Sequence, residues 1–133
     1  MYTVLLPLHD DVERAQRQAD YIASLPCASE EVTVILGHAF SSTEQSAPEA
    51  MQRVDRVETV REASAILDDA GIETTTRELS SPAAEGILAV TADEEIDEVV
   101  MGGRKRSPAE KAILGSTTQT VILNADVPVT VVA

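Results

Sequence analysis

The stretch from Glu98 to Ser116, EVVMGGRKRSPAEKAILGS, carries the residue types and spacing that could hold an anion. An apolar run, Val99-Val100-Met101, breaks at Gly102-Gly103 and passes through Arg104, Lys105, Arg106 and Lys111. It reaches Gly115-Ser116 at the mouth of a helical pattern. Glycines let backbone approach a ligand, and free N–H groups at a helix start attract negative charge. Arginine and lysine add charge-assisted hydrogen bonds to phosphate oxygens. Four of the chain's ten basic residues lie between Arg104 and Lys111, in a protein of formal net charge −13. Two readings stand at this point: an anion site, or a solvated loop whose basic residues offset the acidity around it.

Other candidates for chemistry are sparse. No pair of general acid and base flanks the glycine loop, and no metal-ligand spacing such as C-x2-C or H-E-x2-H occurs. Cys27 is alone, follows Pro26 and has no base beside it in sequence, so it reads as structural rather than nucleophilic. His38 reads as a satisfied histidine at a strand end, and His9 is the histidine expected near a pocket.

These residues need elements to position them. Tyr2–Leu8 is an apolar run of strand length, with Pro7, which lacks an N–H, expected at its end. Asp10 and Glu13 have capping-box spacing ahead of Ala15, Ala19, Ile22 and Ala23, which recur at helical period. Glu31–Phe40 reads as a second buried strand. Ser46 and Glu49 make another capping box before one apolar stripe from Ala50 to Ala70, closed by Gly71 as a C-terminal cap. Ile72–Leu79 is β-branched but polar and fits an edge strand. A third helix follows Ser81-Pro82 and carries Ala84, Ile87 and Leu88. Ile96–Met101 is the fourth strand. Ser116 and Gln119 cap a last helix with Leu114, Val121, Ile122 and Ala125 on its core face. Pro128–Ala133 is the fifth strand.

Strand and helix thus alternate five times, which predicts one α/β domain over residues 1–133: an open, doubly wound parallel sheet with helices on both faces. Ligands of such sheets bind beyond the carboxyl ends of the strands, where strand order reverses. His9–Asp11 and Gly102–Arg106 both follow strands at that edge. With 44% hydrophobic residues but three aromatics, the core must be aliphatic. No run of about eighteen apolar residues exists, so no membrane span or membrane partner is expected, and a cytoplasmic protein is the simplest reading. The strong negative charge argues against a nucleic-acid partner. With two lysines against twenty-three acidic residues, the composition leans toward adaptation to high salt.

MGGRKRSPAEKAILGS, with the opening VLLPLHDD and the closing DVPVTVV, resembles the universal stress protein family over essentially the whole chain. The resemblance implies a five-stranded sheet of order 3-2-1-4-5, dimerisation and a role in stress survival. Its motif G-x2-G-x9-G-S/T cradles ATP phosphates in nucleotide-binding members. Gly102 matches the first glycine, Gly115 the third and Ser116 the hydroxyl residue, but Lys105 stands where the second glycine should. Arg104 lies beside it. Met101 matches a nucleotide contact, and Thr117 and Thr118 match helix-start positions. Pro7 matches the proline of a P-x-D element whose aspartate is replaced by His9, with Asp10 adjacent. Ala39 falls where the family often has a valine against adenine.

A glycine at 105 would let backbone reach phosphate, whereas lysine blocks that approach or reaches over it. Neutral histidine at 9 accepts one hydrogen bond at most, where aspartate would accept several. The expectation is weak binding of ATP or another adenine nucleotide, with Mg2+ present only with the nucleotide. Two alternatives remain: a nucleotide-independent dimeric interaction protein with a vestigial pocket, and a slow nucleotide hydrolase or transferase.

The acidity yields a test. Excess carboxylates repel one another less as the Debye length falls from about 10 Å at 0.1 M salt to about 3 Å at 1 M. The melting temperature, followed by circular dichroism, is expected to climb between these conditions. A flat or falling curve would remove the high-salt reading.

Overall fold

A computed structural model describes residues 1–40, 53–103 and 114–133. In chain order the elements are β1 (Tyr2–Pro7), α1 (Val12–Ala23), a short α2 (Ala28–Glu31), β2 (Val32–Ala39) and a 3-10 turn (Val54–Arg56). They continue with α3 (Glu58–Asp69), β3 (Glu73–Leu79), α4 (Ala83–Asp93), β4 (Glu98–Gly102), α5 (Ser116–Asn124) and β5 (Val129–Val132). The five strands form one parallel sheet of order β3-β2-β1-β4-β5. This is the doubly wound α/β architecture expected from the alternation, with β1 and β4 adjacent at the point where the order reverses.

The strand period of two sorts side chains between the two faces. Val4 and Leu6 of β1 and Val34 and Leu36 of β2 join Val100 on one face, under Ala15, Ala19 and Ile22 of α1 and Val60, Ala63 and Leu67 of α3. Leu5, Val99 and Met101 point the other way, under Ile87 and Val90 of α4 and Val121 of α5. Both clusters are almost wholly aliphatic. Each fully buried Val, Leu or Ile contributes about 1.5–3 kcal/mol, so the two layers together hold the sheet.

At their amino ends β1 and β4 are bound together. The Tyr2 hydroxyl donates to Glu98 Oε1 at 2.7 Å, and Thr130 of β5 donates to Glu98 Oε2 at 2.6 Å. The hydrogen bond to Glu98, then burial, push the Tyr2 phenol up to about 12. Asp97 closes the same end: its carboxylate accepts from the Thr3 amide, and its own amide donates to the Thr3 carbonyl, each at 2.8 Å.

Several boundaries differ from the sequence reading, each for a local reason. The N-cap of α1 is Asp11, not Asp10: its Oδ1 accepts from the Arg14 amide at 3.1 Å. β2 begins one residue late because the chain makes the turn of α2 after Cys27, which adopts a left-handed φ of 58°. β4 starts at Glu98 rather than Ile96, since the Ile96 amide is spent on the Glu94 carbonyl. The apolar stripe does not run as one helix from Ala50. α3 starts at Glu58, behind the 3-10 turn, and the capping box at Ser46 and Glu49 lies outside the described residues. Its other end is as expected. Gly71 sits at φ 75°, with its amide on Asp68 O and the Ile72 amide on Leu67 O, the paired bonds of a Schellman cap. On α5 the cap is Gly115 rather than Ser116, and Gln119 turns its amide to the Leu114 carbonyl. Ile122 is exposed rather than core-facing.

Candidate functional site

The cleft lies at the carboxyl edge of the sheet, where β1 and β4 part. Their pairing is confined to Val4 with Glu98 and Leu5 with Val99. Past that point β1 turns toward β2, its Leu8 amide donating to the Gly37 carbonyl at 2.8 Å. One side chain spans the parting strands. Gln18 of α1 is 1% exposed, and its Nε2 donates to Pro7 O and to Val100 O, both at 3.0 Å. The two hydrogens of a single amide thus fix the separation of the strand ends.

Beyond this bridge opens a cavity of about 390 Å³. That size is within the range of small-molecule pockets. Its walls come from the ends of four strands at this edge and from three helices. Pro7, Leu8 and His9 follow β1, Ala39 closes β2, Leu79 closes β3, and Met101 and Gly102 close β4. Ala83 and Ile87 come from α4, Arg14 and Gln18 from α1, and Gly115 to Thr118 from the start of α5. The floor is apolar, from Leu8, Ala39, Leu79, Ile87 and Met101. The polar lining comes from His9, Arg14 and Gln18 and from Ser116, Thr117 and Thr118.

The start of α5 has the properties of an anion-facing helix end. Gly115 is its cap, no side chain among the described residues caps the first amides, and the Gly115 carbonyl accepts from the Gln119 amide at 3.0 Å. A Cβ at Gly115 would meet no described atom within 4 Å, so this residue borders open cleft. Amides of a first helical turn left without intrahelical partners favour negative charge.

The remaining candidates are distributed as follows. His9 is 68% exposed at its side chain, with Nε2 3.6 Å from Asp10 Oδ1, and its carbonyl accepts from the Thr59 hydroxyl at 2.7 Å. That bond ties the loop after β1 to α3. Asp10 is not part of the lining and points to solvent. Arg104 and Lys105 lie outside the described residues. His38 is buried, and its Nδ1 donates to the Leu8 carbonyl at 2.9 Å, edge-on to Phe40. This is the satisfied strand-end histidine that the sequence suggested.

Arg14 and Gln18 were missed by the sequence reading. The signal was present for Gln18: it falls at the core period of α1 with Ala15, Ala19 and Ile22, yet it is polar. Arg14 precedes it by one turn on the same face. Both pack over Gly102, where a Cβ would lie 2.3 Å from Arg14 Cγ and Cδ and 2.9 Å from Gln18 Oε1. A glycine at 102 is therefore what lets these two side chains lie where they do. Asp11 holds the start of α1. The Arg14 amide, then the Arg14 and Arg17 charges, hold its carboxyl below the usual range, against the opposing effect of burial.

The donor set does not suit a protein-bound divalent cation. No carboxylate lines the cleft among the described residues, and no group of three His, Cys, Asp or Glu comes together among them. Hard cations such as Mg2+ require several oxygen ligands, usually with at least one carboxylate. No helix among the described residues is long and apolar enough to cross a membrane.

A family model described as the universal stress protein family matches residues 1–133. No match was found among curated proteins. Among solved structures, a universal stress protein from Archaeoglobus fulgidus is similar at 24% identity and a TM-score of 0.78, covering 100% of this chain and 99% of its own. The Archaeoglobus fulgidus protein in complex with dAMP is 19% identical, with a TM-score of 0.71 and coverage of 100% and 98%. A family protein from Arabidopsis thaliana with AMP bound is 12% identical, with a TM-score of 0.71 and coverage of 99% and 91%.

The bridge across the strand ends gives a direct test. Gln18→Leu keeps the volume but withdraws the donor from two carbonyls, and is expected to cost about 2–4 kcal/mol in urea unfolding. Gln18→Glu places acceptors against acceptors and is expected to be worse at neutral pH. Burial beside two carbonyls raises its folded pKa, so its stability should recover as pH falls toward the unfolded value of about 4.3. Equal stability of Gln18→Leu and the parent, or no recovery of Gln18→Glu in acid, would show that the bridge does not hold the edge.

Proposed function

Because the chain belongs to the universal stress protein family, we propose that it is a dimeric stress-response module whose cleft holds an adenine nucleotide with lowered affinity. The observation that carries this reading is the start of α5, with Gly115 to Thr118 facing a cleft that has an apolar floor. An adenine ring suits Ala39, Leu79 and Met101 on that floor, with Pro7 at its margin. Phosphate suits the amides of Ser116, Thr117 and Thr118 and the open side of Gly115, with Arg104 and Lys105 as the basic partners that the sequence suggests. The complexes of similar proteins with dAMP and AMP support the ligand class.

Affinity is lowered because His9 replaces a carboxylate and Lys105 replaces a glycine. Any Mg2+ would come with the nucleotide's own phosphates. Nothing among the lining residues forms a general acid and base pair, so slow hydrolysis is a weaker reading than binding. The acidity of the chain fits a cytoplasm of high salt.

The dimer would form through the C-terminal strand. β5 is an edge strand, and PVTVVA contains no charge to guard it. Leu123 on the preceding helix is 81% exposed. Pairing with a twofold-related copy would cover the edge symmetrically. This feature also favours the second reading, an interaction protein whose pocket is vestigial.

Calorimetric titration at matched salt distinguishes the readings. The unmodified protein is expected to bind ATP weakly, and His9→Asp with Lys105→Gly to tighten it by about tenfold or more, which is about 1.4 kcal/mol. Gly115→Val, whose side chain would enter open cleft, is expected to abolish binding without lowering the melting temperature. Tight binding by the unmodified protein would show that the two departures matter little. No gain from the double change would place the pocket outside nucleotide chemistry. Light scattering at high salt is expected to give twice the chain mass, and a monomer at micromolar concentration would refute the dimer.

A further inference from the structure

We infer that the cleft recognises phosphate through Arg14 on α1, without a divalent cation as intermediary. This rests on the preceding reading of the cleft as an anion site, and it identifies how that site meets the ligand's charge. Twenty-three acidic residues give the chain a formal net charge of −13, yet among the described residues none lines the cleft. Among the described residues, the one Asp, Glu, Lys or Arg in that lining is Arg14. In a surface so rich in carboxylates, a wall without them marks where negative charge is admitted.

The placement of Arg14 is specific. Its methylenes cross the end of β4 at Gly102, where any side chain would collide with Cγ and Cδ. Its side chain is 17% exposed, and its Nε is buried with no hydrogen-bond partner among the described residues. The nearest carboxylate, Asp11 Oδ2, is 3.9 Å from Nη2, beyond hydrogen-bond distance, and Asp11 is already engaged as the α1 cap. A guanidinium offers five N–H donors in a fixed fork that matches phosphate oxygens. Among the described residues Arg14 Nε has no acceptor, in the same cleft as the start of α5. An anion between them would be met from two sides, by charge from α1 and by backbone amides from α5.

The cation becomes unnecessary for the same reason. A carboxylate facing phosphate requires a divalent ion to screen the two negative groups, whereas arginine neutralises phosphate directly. The cleft has the arginine and lacks the carboxylate.

The experiment titrates adenosine, AMP and inorganic pyrophosphate into the purified protein, each with EDTA and each with Mg2+, at matched ionic strength. AMP and pyrophosphate are expected to bind in EDTA within about threefold of their affinity in Mg2+. Arg14→Met keeps the stem over Gly102 and removes the charge, and is expected to weaken both by about tenfold or more. Arg14→Lys is expected to recover most of that loss, and adenosine to bind all three proteins alike. Binding of AMP and pyrophosphate only in Mg2+ would overturn the inference, as would their failure to bind in EDTA or equal binding by Arg14→Met. The comparison of EDTA with Mg2+ uses the unmodified protein, so it decides even if Arg14→Met does not fold. Pyrophosphate bound through Arg14 with no binding of adenosine would refute the nucleotide reading and leave the inference standing.

Discussion

A parallel sheet whose strand order reverses must part somewhere, and here the parting is controlled by one buried amide. β1 and β4 are joined at their amino ends by Tyr2, Glu98 and Thr130, and they pair through only two register positions. Past that point their carbonyls would face each other across a gap. Gln18 fills it with two donors from one nitrogen, so the strands separate by a fixed amount. A longer apolar residue would leave the carbonyls unpaired, and a shorter one would let the edge close. The cleft is the space beyond this amide, and Gly102 exists in part so that α1 can lie close enough to deliver it.

The same helix therefore sets both the shape and the charge of the site. Asp11 caps its start, Arg14 lies one turn in, and Gln18 one turn further, so that two successive turns place an anchor, a cation and a bridge along one line. Core residues at Ala15, Ala19 and Ile22 hold the helix against the sheet and leave it little freedom to shift. Thr59 of α3 fixes the intervening loop through the His9 carbonyl. The side chain of His9 stays exposed while its backbone is held, so its contribution to a ligand depends on how the ligand enters.

The fold was legible because its signals are additive along the chain. Alternating apolar runs, strand-end Pro7 and the Gly71 cap each act locally and suffice for the alternation of strand and helix, while the strand order 3-2-1-4-5 was implied by the family resemblance. The cleft was partly legible, since topology alone brings the ends of β1 and β4 to one edge. What remained hidden has physical causes. Asp10 and Asp11 are adjacent and chemically equal as caps, and only the backbone direction after Pro7 selects the second. The stripe from Ala50 to Ala70 keeps one period across a break, because a 3-10 turn can present Val54 to the same core as α3. Ile122 lies beside Val121 in sequence, and a narrow contact face on α5 buries one and exposes the other. Arg14 looks like any charged residue on the wet face of a helix until the missing Cβ of Gly102 gives its stem a dry place to lie.

Seen from the cleft, the two departures from the family pattern and the arginine form one arrangement. Replacing a carboxylate by His9 removes a negative group from the mouth of the site. Lys105, on a loop that the resemblance places at the phosphate end, adds a positive one. Arg14, in the lining of the cleft, brings a further positive group. Each change alone would disturb a site that balances phosphate against a carboxylate-bound metal. Under the proposed reading, together they would move the balance from metal to side chain. This would favour a ligand rich in phosphate over one that presents mainly a base. An exposed ion pair would lose much of its strength in concentrated salt, but Arg14 is largely shielded from solvent, and shielded charges are screened far less. Under the proposed reading, a half-buried arginine would hold an anion in salt better than a ring of surface lysines, and the chain has two lysines in all.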